Sequence, residues 1–182
     1  MGRINFSIPW HKYGLIVYLS RRMADNSFQF GKTALQKIIY ILEEVFNVPC
    51  GYNFSLYTYG PFSSELAGDL DYLASLKGVS VSWANSGGYH IAPGAEADYF
   101  IKKAEKFLEK NMNEIDRVLN YFGEMNAKDL ELRATIIFVF KNGKKKDEEL
   151  VKEVSQIKPY FSIDQIRNAV DELKEKDFLS AS

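Results

Sequence analysis

Apolar residues recur every three or four positions in the first quarter of the chain, which is the spacing of an amphipathic helix. One such run covers residues 11–23 and a second covers residues 35–46. Thr33 followed by Gln36 fits a capping box, in which two side chains satisfy free backbone N–H groups at the start of a helix. Lys37 lies one position off the apolar stripe of the second helix, so we expect its ammonium group to reach solvent.

The next segment alternates as a strand with one buried face does. The run GYNFSLYTYG at residues 51–60 has alternating apolar and polar side chains, and Gly60-Pro61 ends the pattern. Pro61 suits the first residue of a third helix, because its missing N–H costs nothing there. VSVSW and YHIA then flank ANSGG and predict a hairpin. The order helix, helix, strand, helix, hairpin is that of a winged helix-turn-helix domain.

The second half is predicted to be helical. A helical period runs from Phe100 to Phe122, with Asn111 and Asn113 as places where it can be interrupted, and we interpret residues 94–124 as a connecting helix. The apolar run in LELRATIIFVF favours a helix over a buried strand, and Ser162 is placed to cap the last helix. A shift of 100 residues superposes the apolar positions of the third helix on those of the last one. The sequence thus predicts a mainly α fold with small β (α+β), with winged-helix-like units at residues 1–93 and 125–182.

The run Gly31-Lys32-Thr33 matches the end of a phosphate-binding loop. Such a loop needs a further glycine five positions earlier and a strand before it. Asn26 stands at that position, bulky aromatic residues follow it, and the preceding element is predicted to be a helix. We therefore predict that these three residues begin a helix and bind no nucleotide.

The composition is that of an ordinary globular protein. Of the residues, 46% are hydrophobic and 26% are charged, and the net charge is −1. The single cysteine, Cys50, excludes an intramolecular disulfide. The N-terminus lacks a signal-peptide pattern, and the longest strongly apolar run is too short to cross a bilayer. We therefore predict a cytoplasmic protein with no membrane partner.

Catalytic and metal chemistry find little support in the sequence. The two histidines, His11 and His90, lie in different predicted elements, whereas a catalytic zinc usually takes three protein ligands. We predict no catalytic residue, no metal site and no cofactor. Ser63 and Ser64 follow Gly60-Pro61, where free N–H groups and the helix dipole favour an anion, so they are the anion-binding candidates. Glu65 opposes this, because it already places negative charge there.

Nucleic-acid binding requires a basic surface, and the charges are balanced. Residues 1–94 carry 7 basic and 6 acidic side chains, and residues 95–182 carry 16 and 18. The predicted third helix has three acidic residues against Lys77, and the hairpin has no Lys or Arg. The candidates for DNA contact are Lys141, Lys144, Lys145, Lys146 and Arg167.

Two stretches resemble a group of small prokaryotic proteins. LQKIIYIL at residues 35–42, followed by YTYGPFSSEL at residues 57–66, is similar to the paired signature of the antitoxin SocA-like group, also called the Panacea domain, and of its YwgA-like relatives. LELRATIIFVF with IKPYFSIDQIRNAVDELKEKDFL is similar to the C-terminal part of the YwgA-like branch. The resemblance implies a compact fold related to winged helices and no catalytic residues. For the SocA-like branch it implies a role as an antitoxin or proteolytic adaptor, and the YwgA-like branch has no established activity.

From these observations we predict a non-catalytic regulatory or adaptor protein that binds a protein partner. The candidate partner contacts are Tyr59, Trp83, Tyr89 and Lys37, and aromatic side chains are enriched at interfaces. Two alternatives stay open. One is a DNA-binding transcriptional regulator of the winged-helix type, acting as a homodimer that pools modest basic patches. The other is an enzyme of unknown type.

Overall fold

Helices make up most of the chain, as the apolar spacing predicts. The computed structural model describes residues 7–24, 30–85, 87–143 and 146–180. Its helices are α1 (Trp10–Ala24), α2 (Lys32–Glu44), α3 (Ser64–Ser75), α4 (Ala97–Lys103), α5 (Glu105–Lys110), α6 (Met112–Phe122), α7 (Ala127–Gly143), α8 (Asp147–Ile157) and α9 (Ile163–Glu175). Within the described ranges the strands β1 (Ser55–Tyr57), β2 (Gly60–Phe62), β3 (Val79–Trp83) and β4 (Tyr89–Pro93) form two antiparallel pairs. The protein is thus mainly helical with two small sheets, an α+β arrangement.

Helix α2 is buried on every side. Residues 34–42 are all buried, which is unusual for a helix that carries charged side chains. The helix packs against α6, α7 and strand β2, and the ring of Tyr40 lies 6.2 Å from the ring of Phe138 on α7. Because protein surrounds it, α2 lacks the solvent-facing side that the sequence analysis assumed.

The predicted capping box at the start of α2 is wrong. The N-cap residue is Gly31, with no side-chain hydrogen bond, so Gly31-Lys32-Thr33 begins the helix as predicted. The side chain of Gln36 bonds instead to the backbone of Ser63, just before α3. Its amide donates to the carbonyl of Ser63 at 2.9 Å and accepts from the N–H of Ser63 at 2.8 Å. Asn26, which stands where a phosphate-binding loop needs a glycine, lies outside the described residues.

The segment predicted as one long strand is a short hairpin. Strands β1 and β2 pair with Tyr57 opposite Gly60, and Gly60 has a φ of 87°, which glycine adopts without strain. Pro61 therefore lies in strand β2, and the prediction that it starts the third helix is wrong. Helix α3 begins after Ser63, whose hydroxyl oxygen accepts from the N–H of Leu66 at 3.3 Å.

The second hairpin is confirmed. Val79 pairs with Pro93 at one end and Trp83 pairs with Tyr89 at the other. This register places the two aromatic rings at the tip of the hairpin, with centroids 5.2 Å apart in an edge-on arrangement. The hairpin thus presents both rings on the same face.

Three short helices occupy the segment interpreted as one connecting helix, and one break falls at Asn111, where the sequence allowed an interruption. The breaks fall at Ala104 and Asn111. The side-chain amide of Asn111 donates to the carbonyl of Phe107 at 2.8 Å, and the backbone N–H of Asn111 bonds to the same carbonyl at 3.2 Å. Helix α1 touches the first break directly, because a Cβ added to Gly14 would lie 2.1 Å from the Cβ of Ala104.

Helices α7 and α9 agree with the predictions. The apolar run of residues 134–140 lies in α7, so it is a helix and not a strand. Ser162 caps α9 in a capping box. Its hydroxyl oxygen accepts from the N–H of Gln165 at 3.1 Å, and the Gln165 side chain accepts from the N–H of Ser162 at 2.9 Å.

The ends of helices α3 and α9 also match under the 100-residue shift. Lys77 and Asp177 each have a φ of 58° just after the helix. The next N–H bonds back to the helix in both places, from Gly78 to the Leu73 carbonyl and from Phe178 to the Leu173 carbonyl. Both helices therefore end with the same left-handed turn.

The hydrophobic core runs through both halves of the chain. Buried residues of α1, α2, α7 and α9 belong to one cluster. The division into units at residues 1–93, 94–124 and 125–182, and their assignment as winged-helix-like, stay predictions. No helix in the described part of the chain has the length and apolar character needed to cross a membrane.

Candidate functional site

Two buried lysines and a buried glutamate lie in the interior between α2, α7 and the β1–β2 hairpin. Lys37 is 2% exposed, Glu131 is 5% exposed and Lys158 is 0% exposed. The Nζ atom of Lys158 lies 2.5 Å from Oε1 of Glu131, and it also donates to the carbonyl of Thr58. The hydroxyl of Tyr160 donates to the same carboxylate oxygen. A buried pair of this kind is costly to break, because removing one partner leaves the other charge uncompensated.

Lys37 has weaker compensation than Lys158. Its Nζ donates to the carbonyl of Pro61 at 2.9 Å, and no carboxylate of the described residues is close enough to form an ion pair with it. Burial lowers the pKa of Lys37 from 10.5 to about 8. The Glu131 carboxylate opposes that lowering and the Lys158 ammonium adds to it. The expectation that Lys37 reaches solvent is wrong, because α2 is enclosed.

Gly60 allows the hairpin backbone to lie directly against the Lys37 side chain. A Cβ at position 60 would lie 3.3 Å from Cε of Lys37 and 3.0 Å from Oγ1 of Thr135. The φ of 87° also disfavours any residue with a side chain. The glycine of the Tyr-Gly-Pro stretch is therefore required by both the backbone conformation and the contact.

A cavity of about 250 Å³ opens beside Lys37, between α2, α3 and the β1–β2 hairpin. Lys37, Gly60, Leu66 and Leu70 form its buried lining, and most of that lining is apolar. The volume lies below the several hundred Å³ of a typical cofactor pocket, so it suits a small group such as one amino-acid side chain.

Exposed aromatic side chains lie at this cavity and next to it. Tyr57 and Tyr59 line it and are 68% and 64% exposed. Lys32 also lines it, and its Nζ lies 4.6 Å from the ring centroid of Tyr89. Tyr89 in turn packs edge-on against Trp83, which is 68% exposed. We call Tyr57, Tyr59, Trp83 and Tyr89 the aromatic rim.

Two of the four candidate partner contacts from the sequence line this cavity, and the other two are connected to it through Lys32. Tyr59, Trp83 and Tyr89 belong to the aromatic rim, and Lys37 lies in the buried lining.

Sequence reasoning missed Glu131 and Lys158. For Lys158 a signal existed, because it continues the four-residue spacing of Leu150 and Val154 on the buried face of α8. For Glu131 no local signal existed, since its partner lies 27 residues away in the sequence. Such a contact follows from tertiary packing alone.

The anion-binding candidates do not form a pair of exposed hydroxyls. Ser63 is buried, and its hydroxyl oxygen and backbone already bond to Leu66 and Gln36. Ser64 is exposed as the first residue of α3, and the next residue, Glu65, pairs with Lys12 at 2.5 Å. The geometry therefore does not bring the two serines together around an anion.

The candidates for DNA contact lie among acidic side chains. Arg167 is 3.3 Å from a carboxylate oxygen of Glu148 and 3.9 Å from one of Asp164. Lys146 is exposed immediately before the acidic first turn of α8, and Lys141 is half-buried on α7. Lys144 and Lys145 lie outside the described residues.

The remaining chemistry-bearing residues are dispersed. Across the described residues, no group of three or more His, Cys, Asp or Glu side chains is arranged to hold a metal ion. His11 packs against Phe107, and burial lowers the pKa of its imidazole. Burial likewise raises the pKa of the Cys50 thiol, which makes the reactive thiolate scarce.

Comparisons with known proteins give no match. No family model matches the chain, and no curated protein matches it. The resemblance to the SocA-like and YwgA-like groups therefore stays a prediction from the motifs quoted above.

Proposed function

We propose that this protein is a non-catalytic regulatory or adaptor protein, and that its partner is another protein bound at the aromatic rim. The observation that supports this proposal is an apolar cavity lined by two exposed tyrosines, beside which two further exposed aromatic side chains follow through Lys32. Large exposed apolar groups are unfavourable in water, and aromatic residues concentrate at the energetic centres of interfaces. The proposal places both proteins in the cytoplasm, as the sequence analysis predicts.

The residues behind the family resemblance lie at the same surface. LQKIIYIL supplies Lys37, and YTYGPFSSEL supplies Tyr57, Tyr59 and Gly60. These two stretches are separate in sequence, and residues of both line the cavity. That coincidence supports an antitoxin-like or adaptor role for this chain, by analogy with the SocA-like branch.

We further propose that residues 1–93 form a winged-helix-like unit. The order α1, α2, the β1–β2 hairpin, α3 and the β3–β4 hairpin supports this assignment. For residues 125–182 the support is narrower and consists of the matching ends of α3 and α9. The winged-helix relation concerns architecture and does not by itself imply DNA binding.

The DNA-binding alternative gains no support from the described contacts. Helix α3, the expected reading helix, carries Glu65 and Asp71, which pair with Lys12 and Lys32. A surface of this kind repels phosphate or leaves it unbound. Binding to duplex DNA that weakens steeply with added salt would favour the DNA-binding alternative over the adaptor proposal.

Affinity capture from cells of the native host tests the proposal. The protein should retain a specific partner, and the double variant Tyr59→Ala, Trp83→Ala should lose it, because truncating such side chains typically costs about 2 kcal/mol or more each when they are hot spots. Tyr99→Ala is the matched control, since Tyr99 is 50% exposed on α4 and does not line the cavity. Equal recovery of the partner by the double variant and the control would place the interface elsewhere.

A further inference from the structure

The charges beneath the cavity do not balance. Lys37 on α2 and Lys158 after α8 face one carboxylate, Glu131 on α7. The carboxylate oxygen of Glu131 that bonds to Lys158 also accepts from the hydroxyl of Tyr160. The ammonium of Lys37 therefore has one backbone carbonyl as its acceptor among the described residues. A buried cation in this state is stabilised by any anion that reaches it.

The cavity beside Lys37 has room for about one amino-acid residue. Its volume is about 250 Å³, and Leu66, Leu70 and Phe62 supply apolar lining. The aromatic rim continues outside the cavity through Lys32 to Tyr89 and Trp83. A ligand that fills the cavity and covers the rim must therefore be longer than one residue.

These two features fit the last residue of a polypeptide. A C-terminal residue combines an apolar side chain with a free carboxylate, whereas an internal residue has only an uncharged amide at that place. We propose that the cavity binds the C-terminal residue of the partner protein, with its carboxylate paired to the ammonium of Lys37 and its apolar side chain in the cavity. The residues before it lie across the aromatic rim. This inference rests on the proposed function and specifies which part of the partner is recognised.

A pair of minimal ligands tests the carboxylate requirement. N-acetyl-leucine carries the apolar side chain and the carboxylate, and N-acetyl-leucinamide differs only by lacking the charge. Both are titrated at millimolar concentration into isotope-labelled protein and followed by NMR chemical shifts. N-acetyl-leucine should bind at least about tenfold more tightly than N-acetyl-leucinamide, because hydrogen bonds to charged groups are stronger than those between neutral groups.

Two protein variants locate the binding. Lys37→Met removes the charge and should weaken the binding of N-acetyl-leucine by about tenfold or more. Ala67→Phe leaves Lys37 intact and should block the cavity, because Ala67 lines it from α3. Gly68→Ala is the matched control on the same helix, since a Cβ there meets nothing within 4 Å. The Ala67 variant keeps the test valid if the Lys37 variant does not fold.

The pH dependence gives an independent readout. Glu131, Lys158, Tyr160 and the two tyrosines of the β1–β2 hairpin are the titratable groups nearest to Lys37. Because burial lowers the pKa of Lys37 to about 8, its ammonium is lost as the pH rises from about 7 to 9.5. The affinity for N-acetyl-leucine should fall by about tenfold or more between about pH 7 and pH 9.5.

Three results would overturn the inference. They are equal binding of the acid and the amide, no binding of either, and binding of the acid that both cavity variants leave unchanged. None of these results touches the proposed function, which depends on the rim. If the minimal ligands fail and the rim variants still lose the captured partner, the rim recognises an internal surface of that partner.

Discussion

Replacing Lys37 by methionine should stabilise the protein at neutral pH. The side chain is 2% exposed, and burial lowers its pKa from 10.5 to about 8. At about 1.4 kcal/mol per pH unit, this lowering corresponds to ~3 kcal/mol of unfavourable free energy for the charged form. Methionine has a similar length and no charge. It leaves the Pro61 carbonyl without its donor, which costs about 1 kcal/mol, so the net gain should be about 2 kcal/mol.

The gain should disappear as the pH rises. Below about pH 8, Lys37 is protonated in both the folded and the unfolded chain, and the full cost of burial is present. Between about pH 8 and 10.5 the unfolded chain holds a proton that the folded chain has released, so the stability contributed by this residue increases with pH. From about pH 7 to pH 10 the wild type should gain about 2 to 3 kcal/mol relative to Lys37→Met.

Urea unfolding of both proteins at the two pH values measures this quantity. The difference between the two proteins removes the contribution of every other titrating group that they share. Lys102→Met is the control, because Lys102 is exposed on α4 and its ammonium stays in water in both states. Parallel pH profiles for the wild type and Lys37→Met would refute the reasoning, since the buried lysine would then lose no proton on folding.

Three further changes test the environment of the site by unfolding free energy. Gly60→Ala should destabilise by about 2 kcal/mol, because of the φ of 87° and the 3.0 Å contact with Thr135, and an unchanged midpoint would contradict this packing. Glu131→Gln should destabilise by about 3 kcal/mol, since it leaves Lys158 buried without a counter-charge, and a stable variant would mean that Lys158 reaches solvent. Gly68→Ala should stabilise α3 by about 0.5 to 1 kcal/mol, and a loss of stability would indicate a contact on that face.

The local patterns predicted the helices well, because apolar residues spaced three or four positions apart indicate a helix with one buried face. The capping role of Ser162 and the β3–β4 hairpin could be predicted, because capping and turn preferences depend on a few neighbouring residues. The β1–β2 hairpin was missed because Tyr57 pairs with Gly60 across a turn too short to interrupt the alternation. Pro61 was consistent with a helix start, and it also fits a short edge strand.

The site was predicted in part for the same reason. Among the exposed aromatic residues, the position of Tyr59 on the polar side of the alternating run follows from a local pattern. The burial of Lys37 does not follow from a local pattern, because one face of its helix was expected to meet solvent. A signal was present in ALQKIIYIL, where Lys37 is the one charged residue among nine and its own face also carries Tyr40 and Ile41. The pairing of Lys158 with Glu131 depends on how distant helices pack, which no local pattern contains.

Site-specific photocrosslinking tests the central claim most directly. A benzophenone amino acid placed at Tyr59 reports any protein that lies against the aromatic rim in cells of the native host. The account predicts one crosslinked product of defined mass at this position and none with the same group at Tyr99, which is also exposed, on α4. Crosslinking at Tyr99 with none at Tyr59 would show that the partner binds another surface.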